Sequence, residues 1–399
     1  MVSKALNEIS RGIAEIIDME RIEKLVSKYY EDGTTYKVKL GLDPTGADLH
    51  LGHTVVLQKL KVFQEHGGRV QLLIGDFTAT IGDPTGKSET RKMLTREDIL
   101  ENAKTYQDQI FKILDEDKTE VVFNSTWLNE LGATGMVALT TTFNVARMLE
   151  RDDFEKRYKS GQSISISEFL YPLLQGYDSV ALKSDIEIGG TDQKFNLLMG
   201  RHLQRSYNIG KEQAVLMMPI LEGLDGVQKM SKSLNNYIGI TEEAKDIYAK
   251  TLSISDVLMW RYYELLSEKS LEEIEEIKNN VQNGKLHPKT AKENLALELV
   301  TRFYNEESAK LAKSEFDNVF KSNKLPTDMT EIEAEEGVWI CKALVDAGIE
   351  PSTSQARRDI KQNAVSVNQE KISDEKLNLE SGEYILQVGK RKFAKVKVG

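Results

Sequence analysis

Alternating and apolar runs near the N-terminus predict strands joined by a helix. Residues 4–30 carry two apolar stripes at helical spacing and are predicted to be helical. Residues 36–40 alternate apolar and polar side chains, the period of a strand, and apolar positions recur at helical spacing over 55–63. The apolar run 69–75 has the length of a buried strand. A strand, a helix and a strand in succession form a βαβ unit, so we predict an α/β fold with a Rossmann-type parallel sheet.

The pattern changes further along the chain, which predicts several domains. Helical periodicity between about 125 and 165 is interpreted as an insertion between the halves of the sheet. Residues 241–325 are helical throughout, whereas 326–337 contain Pro326 and an acidic run and are interpreted as a linker. The prediction is a catalytic domain over 1–240, an α-helical domain over 241–325 and a small α+β domain over 338–399.

Composition and charge narrow the class of protein. With 40% hydrophobic and 29% charged residues, the 399-residue chain has the composition of a soluble globular protein. It has no apolar run of membrane-spanning length, no apolar core of a signal peptide at its start, and a single cysteine, Cys341. We therefore expect a cytoplasmic protein without membrane contact. The net charge of −10 argues against nucleic-acid binding by the whole surface, but residues 338–399 hold eleven Lys and Arg against eight Asp and Glu.

Residues 40–53 place a turn rich in Pro and Gly between the first strand and its helix. The N–H groups and dipole at such a helix start bind anions, phosphate among them. His50 and His53 lie on one face of the first helical turn, and Gly52 allows a flat ring to approach the backbone. Two surface histidines or a metal site are the alternatives. Five histidines and one cysteine in the whole chain offer no obvious third ligand, so no protein-bound metal is expected.

Three further segments carry polar groups suited to a ligand. Residues 167–182 form an apolar helix with Tyr171, Gln175 and Asp178 on one face, which predicts either an inter-helix network or a polar ligand. Residues 186–193 read as a strand, a glycine turn and a helix start. The loop 229–233 holds two lysines three residues apart, which suits a polyphosphate.

The segment 82–88 ends like a P-loop, but Gly82 stands one residue too close to Gly86, so we reject a P-loop. Its charged residues Asp83, Lys87 and Arg91 remain candidates for holding ammonium and phosphate groups.

Taken in order, these motifs resemble those of the class I aminoacyl-tRNA synthetases. His50-Leu51-Gly52-His53 is similar to the first signature of that class, and Lys229-Met230-Ser231-Lys232-Ser233 to its second. The segments 41–45, 82–87, 171–178 and 189–193 resemble the bacterial tyrosyl-tRNA synthetase family, in its longer subgroup. Residues 338–399 resemble the small RNA-binding domain named after ribosomal protein S-four. The resemblance covers nearly the whole chain.

The resemblance implies an enzyme that activates L-tyrosine with ATP, as its Mg²⁺ complex, and transfers the tyrosyl group to the 3′ end of tRNA(Tyr). It also implies a homodimer and a helical domain on the anticodon side of the tRNA. The implied catalytic residues are His50, His53, Lys229, Lys232, Lys87 and Arg91. ATP binding involves Gly41, Asp43, Thr45, Gly52, Gly190 and Asp192, with both histidines and Lys232. Tyrosine binding involves Asp83, Tyr171, Gln175, Asp178 and Gln193, and RNA binding involves Arg357, Arg358, Lys361, Lys390, Arg391 and Lys392.

Asp178 is expected to accept the tyrosine hydroxyl, because a ligand without that hydroxyl would leave a buried carboxylate unpaired. Lys39 departs from the family pattern, since many members have tyrosine at this position. Three alternatives stay open: a tryptophanyl enzyme of the same fold, a non-catalytic RNA-binding protein, and a small-molecule nucleotidylyltransferase that shares the first signature.

Overall fold

The computed structural model describes residues 1–44, 48–84, 95–321, 329–389 and 392–399. The chain divides into two compact units, Met1–Lys310 and Leu311–Gly399. Among the described residues, no helix is both long enough and apolar enough to cross a bilayer.

The first unit is built on a six-stranded sheet among its described residues, in the order β1-β6-β5-β2-β3-β4. All neighbours are parallel except β1, which runs antiparallel to β6 at the edge. The central strands β3, β5 and β6 are buried almost throughout, as apolar runs covered on both faces must be. The strands are β1 Glu15–Ile17, β2 Tyr36–Leu42, β3 Gly68–Ile74, β4 Thr119–Phe123, β5 Ile186–Gly190 and β6 Ala214–Met218.

Helices connect these strands and extend the unit beyond the sheet. Helix α3 joins β2 to β3, and α9 joins β5 to β6. Helices α5 to α7 occupy the predicted insertion, and from residue 244 to the end of this unit the regular elements are all helices, of which α14 continues into the second unit. The helices are α1 Val2–Ser10, α2 Met19–Asp32, α3 Leu51–Glu65, α4 Arg96–Ile110, α5 Ser125–Thr140, α6 Val145–Met148, α7 Asp152–Lys159, α8 Ile166–Leu182, α9 Lys194–Ser206, α10 Ala244–Ser253, α11 Asp256–Leu266, α12 Leu271–Gln282, α13 Pro288–Phe303 and α14 Glu306–Lys321.

The order of the strands places a crevice at one point of the sheet. Strands β2 and β5 are neighbours, but the chain leaves β2 toward β3 on one side and leaves β5 toward β6 on the other. The loops after β2 and β5 therefore diverge, and ligands of open α/β sheets bind in the crevice between such loops. The predicted α/β fold with a Rossmann-type parallel sheet is confirmed.

Arg11 fastens the N-terminal segment to helix α11. Its guanidinium donates hydrogen bonds to the carbonyl oxygens of Tyr263, Glu264 and Ser267, each at 3.0 Å, and also to the carbonyl of Lys269. These carbonyls belong to the last turn of the helix and the residues after it, which lack partners within the helix. The contact joins the first residues of the chain to the helical part of the same unit.

The second unit packs two helices on a five-stranded sheet among its described residues, in the order β10-β9-β12-β13-β7. Its core contains Leu344, Ile360, Leu386 and Val396. The elements are β7 Thr330–Ala334, β8 Val338–Trp339, α15 Ile340–Asp346, α16 Thr353–Lys361, β9 Val365–Val367, β10 Glu370–Lys371, β11 Asn378–Leu379, β12 Gly382–Val388 and β13 Lys392–Val398. The predicted small α+β domain at the C-terminus is present.

Two sequence predictions need correction. The predicted linker 326–337 is wrong for residues 330–334, which form strand β7 parallel to β13. The acidic residues there alternate with Ile332 and Ala334, which pack against the core of the second unit, so the pattern was that of a strand. The predicted helical stretch 4–30 contains the short strand β1 between α1 and α2.

Candidate active site

A cleft of about 620 Å³ opens at the carboxyl ends of β2 and β5. It brings together residues from the turn after β2, the start of α3, the segment after β3, helix α8, the turn after β5 and the loop 229–233. Thr45, Lys87 and Arg91 lie outside the described residues. The predicted site residues that line the cleft are Gly41, Asp43, His50, Gly52, His53, Asp83, Tyr171, Gln175, Asp178, Gly190, Asp192, Gln193, Lys229 and Lys232.

His50 and His53 cap the N-terminus of α3 with their rings. The Nδ1 atom of His50 accepts a hydrogen bond from the Gly52 N–H at 3.1 Å, and Nδ1 of His53 accepts from the His50 N–H at 3.2 Å. A Cβ atom on Gly52 would lie 2.9 Å from Cε1 of His50, so this position requires glycine. Because both Nδ1 atoms accept, each neutral ring carries its proton on Nε2 and offers it as a donor.

Both histidines are held neutral by their surroundings. Burial lowers the pKa of His50 to about 2, and the neighbouring His53 and Lys232 act in the same direction. Burial, together with Lys232, lowers the pKa of His53 to about 4. The ring centroids are 4.0 Å apart. The pair therefore acts at neutral pH as two hydrogen-bond donors, and neither ring serves as a cation.

The loop 229–233 supplies the positive charge of the cleft. Asn236 anchors the loop, since its side chain accepts from the Ser231 N–H at 2.8 Å and donates to the Lys229 carbonyl at 3.1 Å. Among the described residues, neither Lys229 nor Lys232 has a carboxylate within ion-pair distance. Burial lowers the pKa of Lys232, and burial raises the pKa of Asp192 on the opposite wall, where Lys229 opposes the rise. Two lysines without ion-pair partners suit a polyanion.

Asp178 is the buried acceptor of the cleft. Its Oδ1 atom accepts from the Trp127 indole at 2.9 Å, and its Oδ2 atom accepts from the Asn124 amide at 3.3 Å. Burial raises the pKa of Asp178 to about 7, while Lys39, Trp127 and Asn124 oppose the rise. A carboxylate poised in this way gains from a ligand that donates a further hydrogen bond.

Tyr171 and Asp43 connect helix α8 to the turn after β2. The Tyr171 hydroxyl donates to Oδ2 of Asp43 at 2.9 Å, and the Thr78 hydroxyl donates to Oδ1 at 2.8 Å. Asn124 donates in turn to the Thr78 hydroxyl at 3.1 Å. Burial and the Asp43 carboxylate raise the pKa of Tyr171 well above its usual value, so its hydroxyl remains a donor.

Asp83 and Gln193 face each other across the mouth of the same pocket. The Gln193 amide donates to Oδ2 of Asp83 at 2.8 Å, and the buried guanidinium of Arg151 lies 3.5 Å from Oδ1. Nearby, the buried Oε1 atom of Gln175 has no hydrogen-bond partner among the described residues. An unpaired buried acceptor of this kind favours a ligand that donates, such as an ammonium group.

Sequence reasoning missed several residues of this pocket. They lie far from the signatures, on elements with no polar stripe or repeated spacing to mark them. The best signal was Asn124, which directly follows β4 and therefore stands at the carboxyl edge of the sheet. The missed residues are Thr78, Asn124, Trp127 and Arg151.

A possible set of metal ligands lies away from the cleft. Among the described residues, Glu8, Glu65 and His66 place their ligand atoms within 4.8 Å of one another. His66 contacts Glu8 at 2.7 Å and Tyr30 at 2.8 Å through its two ring nitrogens, so both are already engaged. None of these residues lines the cleft.

The four described residues of the predicted RNA-binding set are exposed but differ in their contacts. Arg357 lies over the Trp339 ring at 4.9 Å, and Arg358 stands beside it on α16. Lys361 pairs with Glu375 at 3.0 Å, and Lys392 pairs with the buried Glu350 at 3.3 Å. Lys390 and Arg391 lie outside the described residues. Of the four described residues, the two arginines have no ion-pair partner, although Arg358 donates a hydrogen bond to the Gln355 side chain.

A doubly wound sheet with two neutral histidines at a helix start, two lysines on a loop and a buried acidic pocket is typical of a nucleotide-binding enzyme with a second polar substrate. Comparison with known proteins narrows this class. The family model of class I tRNA synthetases (W and Y) matches residues 31–321, and that of the tyrosine–tRNA ligase SYY-like C-terminal domain matches 315–396. The chain is 71% identical over 398 residues to the tyrosine–tRNA ligase of Sulfurimonas denitrificans, covering 100% of both chains. It is 60% identical over 397 residues to that of Helicobacter pylori, covering 100% of this chain and 99% of the relative. The chain therefore belongs to the class I tRNA synthetases and, within them, to the tyrosine–tRNA ligase family.

Solved structures show the same fold at low identity. The truncated mitochondrial tyrosyl-tRNA synthetase of Coccidioides posadasii superposes with a TM-score of 0.63 at 21% identity, over 78% of this chain and 91% of that one. The Archaeoglobus fulgidus tyrosyl-tRNA synthetase, complexed with L-tyrosine, gives a TM-score of 0.62 at 24% identity, over 78% and 99%.

Proposed function

We propose that the chain activates L-tyrosine with ATP and transfers the tyrosyl group to the 3′ end of tRNA(Tyr). The observation that carries the proposal is the position of Asp178. It is a buried acceptor in the same cleft as two neutral histidines and two lysines, which have no ion-pair partner among the described residues. A phenolic hydroxyl completes the hydrogen bonding of Asp178, and the histidine and lysine groups suit a triphosphate.

In the first step, an oxygen of the tyrosine carboxylate attacks the α-phosphorus of ATP, taken as its Mg²⁺ complex. The bond from that phosphorus to the bridging oxygen breaks, and pyrophosphate leaves with the electron pair. The Nε2–H groups of His50 and His53 donate to phosphate oxygens as negative charge builds there, and Lys229 and Lys232 bind the leaving pyrophosphate. No protein nucleophile takes part, so catalysis is by positioning and electrostatics.

The amino acid lies along helix α8 in this proposal. Asp178 accepts the phenolic hydroxyl at the buried end, and Gln175, Tyr171 and Asp83 surround the ammonium group. Gln193 orients Asp83 through its 2.8 Å hydrogen bond.

The nucleoside part of ATP lies on the turns after β2 and β5. Asp192 receives the ribose hydroxyls, and Gly41, Gly52 and Gly190 allow the backbone to approach the nucleotide. Asp43, in the turn after β2, lines the same nucleotide side of the cleft. Thr45, Lys87 and Arg91 are proposed for the phosphates on sequence grounds alone.

In the second step, a hydroxyl of the terminal tRNA ribose attacks the tyrosyl carbonyl carbon, and AMP leaves. The second unit contributes phosphate contacts through Arg357, Arg358, Lys361 and Lys392, with Lys390 and Arg391 included from the sequence. A helical domain over 241–325 on the anticodon side, a homodimer and a cytoplasmic location complete the proposal.

ATP–pyrophosphate exchange tests the choice of amino acid. We expect exchange with tyrosine and far less with tryptophan or phenylalanine. Asp178→Asn should lower kcat/KM for tyrosine by about 10²-fold, because a charged acceptor of the phenolic hydroxyl is lost. Asp108→Asn, an exposed change on helix α4, is the control. Exchange driven by tryptophan and not by tyrosine would overturn the proposal.

A further inference from the structure

A fully buried ion pair lies next to the end of the cleft that holds Asp178. The Nζ atom of Lys39 is 2.8 Å from Oε1 of Glu187, and the two side chains are 0% and 2% exposed. Lys39 is on β2 and Glu187 is its direct partner on the parallel strand β5. The pair thus sits at the junction of the two halves of the sheet, where the cleft forms.

A closed hydrogen-bond network satisfies this pair. The Lys39 ammonium donates to the Ser179 hydroxyl at 2.6 Å, and that hydroxyl donates to Glu187 at 3.0 Å. The Gln213 amide donates to the same carboxylate oxygen. Gly200 leaves the room for these groups, since a Cβ atom there would lie 2.5 Å from Nε2 of Gln213. Buried charges persist only when they are paired and hydrogen-bonded in this way.

The network reaches Asp178 through helix α8. Ser179, which bonds both charged groups, is the next residue along the helix after Asp178. Lys39 and Glu187, both on the sheet, act on the pKa of the Asp178 carboxylate in opposite directions. Burial is the largest effect on the Asp178 pKa and raises it; Lys39 is the largest opposing one, and Glu187 adds to the rise.

The remaining groups around Asp178 come from other elements. Asn124 and Trp127 donate to its two oxygens from the end of β4 and from α5. Tyr171 lies on the same helix and carries its bond to Asp43 in the turn after β2. Lys39 is therefore the cation that acts on Asp178 among the described residues.

We propose that Lys39 is a specificity-determining positioning residue, whose ammonium keeps Asp178 in the ionised form that accepts the phenolic hydroxyl of the substrate, while Glu187 limits that effect. This inference rests on the proposed role of Asp178. In this inference Lys39 acts on the acceptor and does not itself contact the hydroxyl.

Opposite charges on the two partners make the inference testable. Removing the cation in Lys39→Met leaves Glu187 to repel Asp178, so the rise of kcat/KM for tyrosine with pH moves to higher pH. At pH 6 this lowers kcat/KM by about tenfold or more, the effect of a lost neighbouring charge. Removing the anion in Glu187→Gln leaves Lys39 to act on Asp178 alone, and the rise moves to lower pH. A role confined to packing would impair both variants in the same way.

The experiment is ATP–pyrophosphate exchange on the full chain from pH 5.5 to 8.5, with tyrosine and phenylalanine. The KM for ATP and the thermal unfolding midpoint of each variant serve as controls. Shifts of opposite sign, with the Tyr/Phe ratio at pH 6 reduced in Lys39→Met, support the inference. Shifts of the same sign, or none, overturn it.

If Lys39→Met does not fold, two other variants test the inference. They are Glu187→Gln and the double variant Lys39→Met/Glu187→Gln, which removes both buried charges. Glu187→Gln must move the pH profile of kcat/KM to lower pH than in the wild type. The double variant must have its profile at higher pH than Glu187→Gln, and any other pair of results overturns the inference. A wild-type chain without tyrosine-dependent ATP–pyrophosphate exchange would refute the proposed function itself, and so would an Asp178→Asn variant with undiminished exchange. Either result differs from a failure of the inference about Lys39 alone.

Discussion

The Tyr171 hydroxyl donates a 2.9 Å hydrogen bond to Asp43 and so joins the amino-acid side of the cleft to the nucleotide side. Tyr171→Phe removes this donor to a charged acceptor, and a hydrogen bond of that kind contributes about 1.5–3 kcal/mol. We expect kcat/KM for tyrosine in pyrophosphate exchange to fall by about 10- to 100-fold. Tyr177→Phe on the same helix, where the ring packs against Tyr207, should change exchange little. Equal losses in both variants would mean that the effect is on the helix and not on the bond.

Trp127 fixes the Asp178 carboxylate from helix α5, through its indole N–H at 2.9 Å. Trp127→Phe keeps a ring in place but removes the donor, so the pKa of Asp178 rises further. We expect KM for tyrosine to increase by about tenfold, with a smaller change in kcat. Trp260→Phe, in helix α11, is the matched control. An unchanged KM for tyrosine would show that the indole bond has no part in recognition.

The two histidines act on charge that develops at the α-phosphorus, so their removal should slow chemistry more than binding. His53→Ala or His50→Ala is expected to reduce the rate of adenylate formation by about 10²-fold or more, with KM for tyrosine nearly unchanged. Pre-steady-state adenylate formation measures this directly. His202→Ala, whose ring contacts the Thr142 carbonyl outside the cleft, provides the comparison. Undiminished rates in both cleft variants would refute the assigned roles.

The same histidines predict a loss of stability in acid. Because the pKa of His53 is about 4 in the folded chain and 6.5 when exposed, the unfolded chain binds more protons between these values, and the free energy of unfolding falls as pH drops through that window. Asp178 acts with the opposite sign between pH 3.8 and about 7, since its folded pKa is raised. Urea unfolding at pH 7.5, 6 and 5 should therefore show a weaker acid sensitivity in His53→Gln than in the wild type.

The exposed His287, which lies outside the cleft, supplies the control for acid stability. His287→Gln should retain the wild-type slope of unfolding free energy against pH. A His53→Gln variant with the wild-type slope would contradict the prediction.

Removal of the second unit should separate the two steps of the reaction. The cut belongs before residue 329, because strand β7 pairs with β13 and would otherwise be left without its sheet. We expect a chain of residues 1–321 to retain tyrosine-dependent exchange and to lose tRNA charging by at least tenfold at low salt. The difference from the full chain should narrow as salt rises, because salt weakens the phosphate contacts that the full chain makes. In the full chain, Arg357→Ala/Arg358→Ala should weaken charging, whereas Lys376→Ala is the control. Parallel loss of exchange and charging would show that the unit supports the fold and not tRNA binding.

The parts of the fold that follow from local pattern were predictable from the sequence. The strand-length runs of β3 and β5 and the helical spacing of α3 and α8 depend on each residue's immediate neighbours. Strand β1 was not predicted because three residues are too few to show the alternation of a strand. Its partner β6 also lies about two hundred residues away in the sequence. Strand β7 was misread because its acidic residues resembled a solvated linker, although Ile332 and Ala334 alternate with them.

The residues of the candidate site likewise fall into those that local pattern predicts and those that it does not. The signatures predicted which residues share the cleft, because their spacing on one helix face or in one loop is local. Their supports Trp127, Asn124 and Thr78 come together only in three dimensions, and a single sequence holds no record of such meetings. The ion pair of Lys39 and Glu187 is the extreme case, since nothing near either residue marks it as buried.

The clasp formed by Arg11 has a consequence for synthesis on the ribosome. Tyr263, one of its carbonyl partners, is made 252 residues after Arg11, and strand β1 must likewise await β6. The first part of the chain to emerge is therefore among the last to settle, and until then the nascent sheet has an open edge. A nascent chain that exposes β6 but not yet residue 263 can pair β1 with β6 while Arg11 still lacks its partners on α11. Limited proteolysis of stalled ribosome complexes can detect this intermediate.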